Sequence, residues 1–205
     1  MQADDTPRGV LPAAALDTLW RQARSHNGWL PVAVGDDRLR QLYELVKWGP
    51  TSANCSPMRI VFVRTEEARA RLRPLLSPGN VEKTMSAPVT AIIGFDLDFH
   101  RQLPRLFPHS PGIRDAFAGA DKAAHAERTA FRNGSLQAGY FILAARAMGL
   151  DCGPMSGFDA PAVDQAFWHG TSVRTNFLCN LGHGDPAKLF DRHPRLDFDE
   201  ACSLA

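Results

Sequence analysis

The chain has 205 residues, of which 44% are hydrophobic and 22% charged, and its 23 Lys+Arg against 22 Asp+Glu leave a formal net charge of +1. A chain of this size and composition buries enough surface to fold as one domain without a disulfide or metal staple. A charge so near zero argues against nucleic acid or a membrane surface as a partner, because both call for clustered excess cations. We therefore expect a single domain over residues 1–205.

The cysteines and the N-terminus indicate the compartment. The four cysteines, at positions 55, 152, 179 and 202, match no zinc or dithiol spacing, so we expect free thiols and no metal site. Acids stand near the start of the chain, where a secretion signal has its basic region. The most apolar helical window, residues 138–150, is too short to span a bilayer. The sequence therefore predicts a cytoplasmic protein.

Hydrophobic periodicity predicts more helices than strands. Helical spacing is found, in chain order, over residues 12–25, 36–48, 65–76, a short segment ending at 85, 124–148 and 161–168. Apolar β-branched runs predict buried strands at residues 59–64, 89–95 and 173–181. Turn-forming residues predict loops at 51–57, 77–80 and 149–157, and residues 97–122 are expected to be an irregular substrate loop or lid. This pattern indicates an α+β layered domain.

The candidate chemistry lies in short segments rather than in one motif. The sequence has no dinucleotide-binding glycine motif, phosphate loop, nucleophile elbow or paired-histidine metal motif. It has instead polar, cationic or glycine-rich segments at distant positions: Arg24–Asn27, Pro50–Asn54, Asn80–Lys83, Gly153–Gly157 and Lys188–Arg195. Each segment alone is typical of an ordinary turn or surface.

In this order the segments resemble the FMN-dependent nitroreductase family over nearly the whole chain. The carrying residues are Arg24-Ser-His26, the 49–57 segment, Asn80-Val-Glu-Lys83, the 150–158 segment, and Gly182-His-Gly184 with the basic stretch after it. The resemblance implies a three-layer α-β-α sandwich with a mostly antiparallel central sheet. It also implies a homodimer with the active site at the interface. The sequence departs from the family pattern at Gly28, where many members have a basic residue, and at Ser56 and Met58.

The resemblance implies a set of FMN-binding residues. Arg24 and one or more of Lys188, Arg192 and Arg195 would bind the phosphate, assisted by Ser25 and His26, since a guanidinium makes two parallel charged hydrogen bonds. Asn80 and Lys83 would lie near the pyrimidine edge of the flavin, where a cation stabilises the charge of the reduced ring. The remaining positions are the 153–157 turn, with Pro154, Met155, Ser156 and Gly157, and Ser52 and Asn54 from the partner subunit.

The implied activity is that of an NAD(P)H oxidoreductase. NADPH or NADH would reduce FMN, and a small substrate would then be reduced without an acid-base side chain. The sequence of residues 26–29, 51–57 and 153–159 most resembles that of the malonic semialdehyde reductases of pyrimidine degradation, which convert 3-oxopropanoate to 3-hydroxypropanoate. Its carboxylate would be bound by Arg59, Arg105 or Arg114. A general nitro, quinone or enone reductase and a flavin-binding protein without a substrate remain open as alternatives.

Overall fold

A four-stranded antiparallel sheet forms the centre of the part of the chain that the structure, a computed structural model, describes, namely residues 9–205. The acidic residues near the start of the chain, on which the predicted compartment is based, lie among residues 1–8 and are outside this range. The strands are β1 (Met58–Val63), β2 (Val89–Asp96), β3 (Asp151–Met155) and β4 (Val173–Gly182). Their order is β1-β2-β4-β3, so β1 and β3 form opposite edges.

Helices cover both faces of this sheet. They are α1 (Ala13–Leu16), α2 (Asp36–Val46), α3 (Glu66–Leu72), α4 (Pro78–Met85), α5 (Leu103–Leu106), α6 (Ala123–Ala147), α7 (Ala160–Phe167) and α8 (Phe198–Ala201). Among residues 9–205, no helix combines the length and the apolar character needed to cross a bilayer.

Alternation along β2 separates two cores. Ala91 and Ile93 face a cluster built with α2 and α6, whereas Ile92 faces one built with α3 and α7. Since both faces are covered, β2 is an almost continuous apolar run. The predicted α-β-α sandwich around an antiparallel sheet is thus confirmed, and its three predicted strands correspond to β1, β2 and β4.

The structure corrects the predicted turn at residues 149–157. Residues Asp151–Met155 form the edge strand β3, which pairs with β4 from Asp151 opposite Gly182 to Met155 opposite Leu178. Gly and Pro make this segment read as a turn, but an edge strand tolerates Pro154, whose missing N–H interrupts no central ladder. Pro154 and Met155 therefore lie in a strand, and Ser156 and Gly157 follow its end.

Three further predictions are corrected. The first helix ends in a π-helical turn at Asp17–Arg21, because the chain then becomes extended and Ser25 pairs with β3. Asn80 and Lys83 lie within α4, which begins with Pro78 in the first turn, a position proline favours. Residues 97–122 are not irregular but form successive short helical turns. Phe99 and Leu103 anchor these turns, since both are fully buried.

Candidate functional site

Three of the predicted segments meet around β3. The segment from Arg24 to Trp29 runs along the free edge of this strand, where Ser25 bridges Cys152 and the His26 amide donates to the Cys152 carbonyl at 2.9 Å. Trp29 Nε1 donates to the Lys83 carbonyl at 2.9 Å, which ties this segment to α4. Since Asn80 and Lys83 lie on α4, the first segment, α4 and β3 form one continuous wall, here called the β3 cluster.

The two glycines of the 153–157 segment permit this approach. A Cβ on Gly153 would lie 2.6 Å from the His26 carbonyl oxygen, and one on Gly157 would lie 2.3 Å from Asn80 Nδ2. The Gly157 carbonyl accepts hydrogen bonds from Asn80 Nδ2 at 2.7 Å and from the Ser77 amide at 3.0 Å. The glycines are therefore required for close packing rather than for an unusual backbone conformation.

A cationic cavity of about 450 Å³ adjoins the β3 cluster. Its lining includes four arginines, Arg24, Arg146, Arg192 and Arg195, and a single carboxylate, that of Asp191. Within the described residues, Arg146 Nε is buried without a hydrogen-bond acceptor. An excess of guanidinium groups with an unsatisfied donor fits a dianion such as a phosphate.

The C-terminal stretch closes this cavity, but not every cation that was predicted to bind the phosphate lines it. Arg24 donates to the Phe190 carbonyl, and Arg192 Nη2 donates to the Ala23 carbonyl at 3.1 Å, so the stretch and the first segment hold each other. Lys188 does not line the cavity. Its aliphatic stem instead fills the space beside Gly28, where a Cβ would lie 2.1 Å from Lys188 Cδ.

His26 and Asp151 lock the first segment to β3. His26 is 7% exposed, and its Nε2 lies 3.3 Å from Asp151 Oδ1, while the Gly184 amide donates to Asp151 Oδ2 at 2.8 Å. The hydrogen bond from His26 lowers the pKa of the Asp151 carboxyl, with a smaller lowering contribution from the Gly184 amide. Burial lowers the pKa of the neighbouring Lys83. His26 therefore holds the backbone that carries Arg24 and Ser25.

Ser52 and Asn54 lie in a separate, strained loop beside β1. Ala53, Asn54 and Ser56 have positive φ values of 49°, 49° and 40°, which cost energy in residues other than glycine. The Ser52 amide donates to Asn133 Oδ1 at 2.8 Å, and Asn54 Nδ2 donates to the Leu106 carbonyl at 2.9 Å. These bonds fix the loop against α6 and α5.

The two groups lie apart within the chain. The loop at 52–56 precedes β1, whereas the β3 cluster lies at the opposite edge of the sheet. Three strand spacings separate these edges, roughly 14 Å. The structure therefore brings together Arg24, Ser25, His26, Asn80, Lys83 and residues 154–157, with Arg192 and Arg195 beside them, and leaves Ser52 and Asn54 apart.

Comparison with known proteins identifies the class. The model of the Nitroreductase family matches residues 21–183. The chain belongs to the nitroreductase family. A protein of Cupriavidus pinatubonensis, provisionally named NADH dehydrogenase/NAD(P)H nitroreductase, is 64% identical over 190 residues, covering 93% of this chain and 97% of the relative. A second relative with this provisional name, HadB of Ralstonia pickettii, is 59% identical over 191 residues, with the same two coverages.

A solved nitroreductase supports the same fold. The structure from Exiguobacterium sibiricum, in complex with FMN, superposes with a TM-score of 0.80 at 17% identity and covers 98% of this chain and 100% of that one. The resemblance is thus confirmed at the level of the family, and a structure that shares this fold binds FMN.

The sequence predicts free thiols, and the structure adds which of them are buried. All four cysteines are free, and Cys55, Cys152 and Cys179 are buried. Desolvation by burial raises the pKa of Cys55 to about 11, so this thiol stays protonated at neutral pH. Cys55 is therefore unsuited to be a nucleophile.

Sequence reasoning missed three residues that position the candidate site. Asp151 orients His26, while Asn133 and Gln137 of α6 accept from the amides of Ser52 and Met58. Asn133 and Gln137 are four residues apart, so their side chains share one face of α6, and both are almost fully buried. This spacing of polar residues inside an otherwise apolar helix is a signal that the sequence offers.

Proposed function

We propose that the chain is a homodimer with two identical FMN sites, each combining the β3 cluster of one subunit with the 52–56 loop of the other. The observation that carries this proposal is the separation of these two groups at opposite sheet edges. The exposed side of α6 supports pairing, because Leu136 and Tyr140, one turn apart, are 44% and 40% exposed there. Trp48, 79% exposed just before the loop, extends this apolar surface.

The residues of the β3 cluster suit the chemical parts of FMN. Arg24, Arg192 and Arg195 would hold the phosphate in the cationic cavity, with Ser25 in its lining and His26 next to it in the chain, whereas Lys188, packed beside Gly28, would not take part. Asn80, Lys83 and residues 154–157 would bind the ring, and Lys83 would supply the cation beside it. Bound FMN would supply hydride transfer between NADPH or NADH and a small substrate. In this proposal no side chain acts as an acid or base.

For the substrate we propose 3-oxopropanoate, reduced to 3-hydroxypropanoate. The support is the sequence of residues 26–29, 51–57 and 153–159, which resembles that of malonic semialdehyde reductases. A general nitro or quinone reductase is the second candidate, and the names of the two curated relatives favour it.

The test is turnover by the purified yellow protein with NADPH and NADH against 3-oxopropanoate, a quinone and a nitroarene. The proposal expects bound flavin, a dimer mass and the highest kcat/KM with 3-oxopropanoate. Turnover of the quinone and nitroarene alone would favour the second candidate. A colourless protein that stays colourless with added FMN would refute both.

A further inference from the structure

A second cavity, of about 670 Å³, lies against the 52–56 loop and β1. We call it the Arg105 cavity. Its walls come from the end of α2, from β1 and from the short helices before α6, and they include Trp48, Asn54, Arg59, Gln102 and Arg105. Three cations line it, Lys47, Arg59 and Arg105, and among the described residues its lining contains no carboxylate. Such a lining favours an anion with an apolar part.

Two of these cations are already engaged. Arg59 Nη2 lies 2.6 Å from Asp96 Oδ2, and its Nη1 donates to the carbonyls of Met58 at 2.9 Å and Ser56 at 3.0 Å. Lys47 pairs with Glu44, one turn earlier on α2. Binding a further anion through either would require breaking a contact that is already formed.

Arg105 is the cation of this cavity that remains available. Its Nη2 has one hydrogen bond, to Gln102 Oε1 at a long 3.4 Å, and among residues 9–205 it has no carboxylate within salt-bridge distance. Arg114, another exposed arginine of the same region, lies outside the cavity and its Nε is 3.2 Å from Asp115 Oδ1. These contacts therefore distinguish Arg105 from Arg59 and Arg114, the three candidates for binding the substrate carboxylate that the sequence alone left open.

The position of Arg105 is fixed by its neighbours. It lies on α5 between Leu103, which is fully buried, and Leu106, whose carbonyl accepts from Asn54 Nδ2 at 2.9 Å. Asn54 belongs to the loop that we place beside the FMN of the partner subunit. The backbone of Arg105 is thus held next to the proposed active site, while its guanidinium remains free to bind.

We propose that Arg105 binds the carboxylate of a small organic acid and thereby selects anionic substrates. This inference rests on the proposed dimeric site and deepens it. A guanidinium can form two parallel charged hydrogen bonds to a carboxylate, whereas the ring of Trp48, which lines the same cavity, offers an apolar wall to the rest of the molecule. A neutral substrate of the same shape gains nothing from Arg105.

The experiment uses the FMN-loaded enzyme with malonate, a carboxylate that cannot be reduced, and malonamide, its neutral counterpart. Inhibition of quinone reduction by each compound is measured for the unmodified protein, Arg105→Gln, Arg105→Lys and the control Arg114→Gln. Dissociation constants from the change in flavin absorbance provide a readout independent of turnover. Thermal unfolding shows whether each variant is folded.

We expect Arg105→Gln to weaken malonate binding about ten- to hundredfold, the effect of losing a charged hydrogen bond, and to leave the malonamide constant within about twofold. Arg105→Lys should recover part of the loss, because it keeps the charge but not the planar fork. Arg114→Gln should bind malonate as the unmodified protein does. The proposal is overturned if Arg105→Gln binds malonate as tightly as the unmodified protein does, or if Arg114→Gln loses as much affinity as Arg105→Gln. It is also overturned if the unmodified protein does not bind malonate.

The same assays separate this inference from the proposed substrate. If the enzyme reduces the quinone but not 3-oxopropanoate, the proposed substrate is wrong, and the malonate constants still decide the role of Arg105. If 3-oxopropanoate is reduced equally well by Arg105→Gln, with unchanged KM, the substrate stands and the role of Arg105 is refuted.

Discussion

At the scale of single residues, Arg24 contributes to the site in two ways. It lines the cationic cavity, and it donates to the Phe190 carbonyl, which holds the C-terminal stretch in place. We predict that Arg24→Ala weakens FMN retention by about 1.5–3 kcal/mol, the range for a hydrogen bond to a charged group. The ratio of flavin to protein absorbance after dialysis measures it. The control is Arg21→Ala, because Arg21 pairs with Asp17 at 2.7 Å outside the cavity. Undiminished colour in Arg24→Ala would contradict the phosphate role.

The pair of His26 and Asp151 predicts a pH dependence of stability. Since folding lowers the pKa of Asp151, mainly through the hydrogen bond with His26, its carboxylate stabilises the fold above its ordinary pKa of about 3.9. That contribution disappears as the pH falls through the lowered folded pKa. The Asp151 side chain is 41% exposed, so solvent screening keeps the effect small.

Asp151→Asn should therefore lower the free energy of unfolding by about 0.5–1 kcal/mol at pH 7, and the difference should shrink towards zero in strong acid. Urea denaturation across pH 3 to 7 measures it. Asp37→Asn removes an exposed carboxylate that pairs with Arg40, and it should have a smaller effect. If the difference in the free energy of unfolding between Asp151→Asn and the unmodified protein is constant across this range, the charge of Asp151 contributes nothing to stability.

The family resemblance implied which side chains share the site but not what orients them. Arg24, Asn80 and Lys83 are recognisable because their segments have a fixed order along the chain. Asp151 is not, since its partner His26 precedes it by more than a hundred residues and the two meet only when β3 pairs with the first segment.

At the scale of elements, β3 shows why a strand can be invisible to local patterns. Its sequence, Asp-Cys-Gly-Pro-Met, has neither alternation nor β-branched residues, and Gly and Pro ordinarily indicate a turn. Pairing with β4 on one side and contact with Ser25 on the other make it a strand. The long helix α6 and strands β2 and β4 have strong periodicity or apolar runs, so the sequence alone predicted them well.

The contact between α4 and the end of β3 gives a prediction for one matched pair of glycines. A Cβ at Gly157 would lie 2.3 Å from Asn80 Nδ2, whereas one at Gly79, on α4, meets nothing within 4 Å. Gly157→Ala should displace Asn80 from the Gly157 carbonyl, destabilise the protein by about 1–3 kcal/mol and reduce flavin retention.

Gly79→Ala should instead stabilise the protein by about 0.4–1 kcal/mol, because alanine restricts the unfolded chain and suits a helix. Urea denaturation and flavin absorbance measure both variants. Similar stability in the two variants would show that the Asn80 contact does not constrain position 157.

At the scale of the whole molecule, the residues of the proposed site fall into two groups at opposite edges of the sheet. Sequence order alone cannot show this, because Ser52 and Asn54 precede β1 and Arg24 precedes α2, close together along the chain. Only the strand order β1-β2-β4-β3 separates them to opposite edges. The family resemblance supplied the expectation of a shared site, and the separation of the two groups by the sheet is consistent with that expectation.

A shared site predicts complementation between two defective variants. Arg24→Ala damages the β3 cluster, and Asn54→Gly removes the side chain of the loop while tolerating its φ of 49°. In a mixed dimer, one site combines the intact Arg24 of one subunit with the intact Asn54 of the other, and the second site carries both defects. Random re-association of equal amounts forms mixed dimers in about half of the population, so about one quarter of the native sites return.

The measurement is NADPH-dependent quinone reduction after the two variants are unfolded together and refolded with FMN. Each variant refolded alone gives the baseline, and the unmodified protein treated in the same way gives full activity. Activity of the mixture above the mean of the two variants, by up to about one quarter of the full value, requires residues of two subunits to act in one site. Activity equal to the mean of the two variants would place Arg24 and Asn54 in separate or single-chain sites, because mixing would then create no native combination.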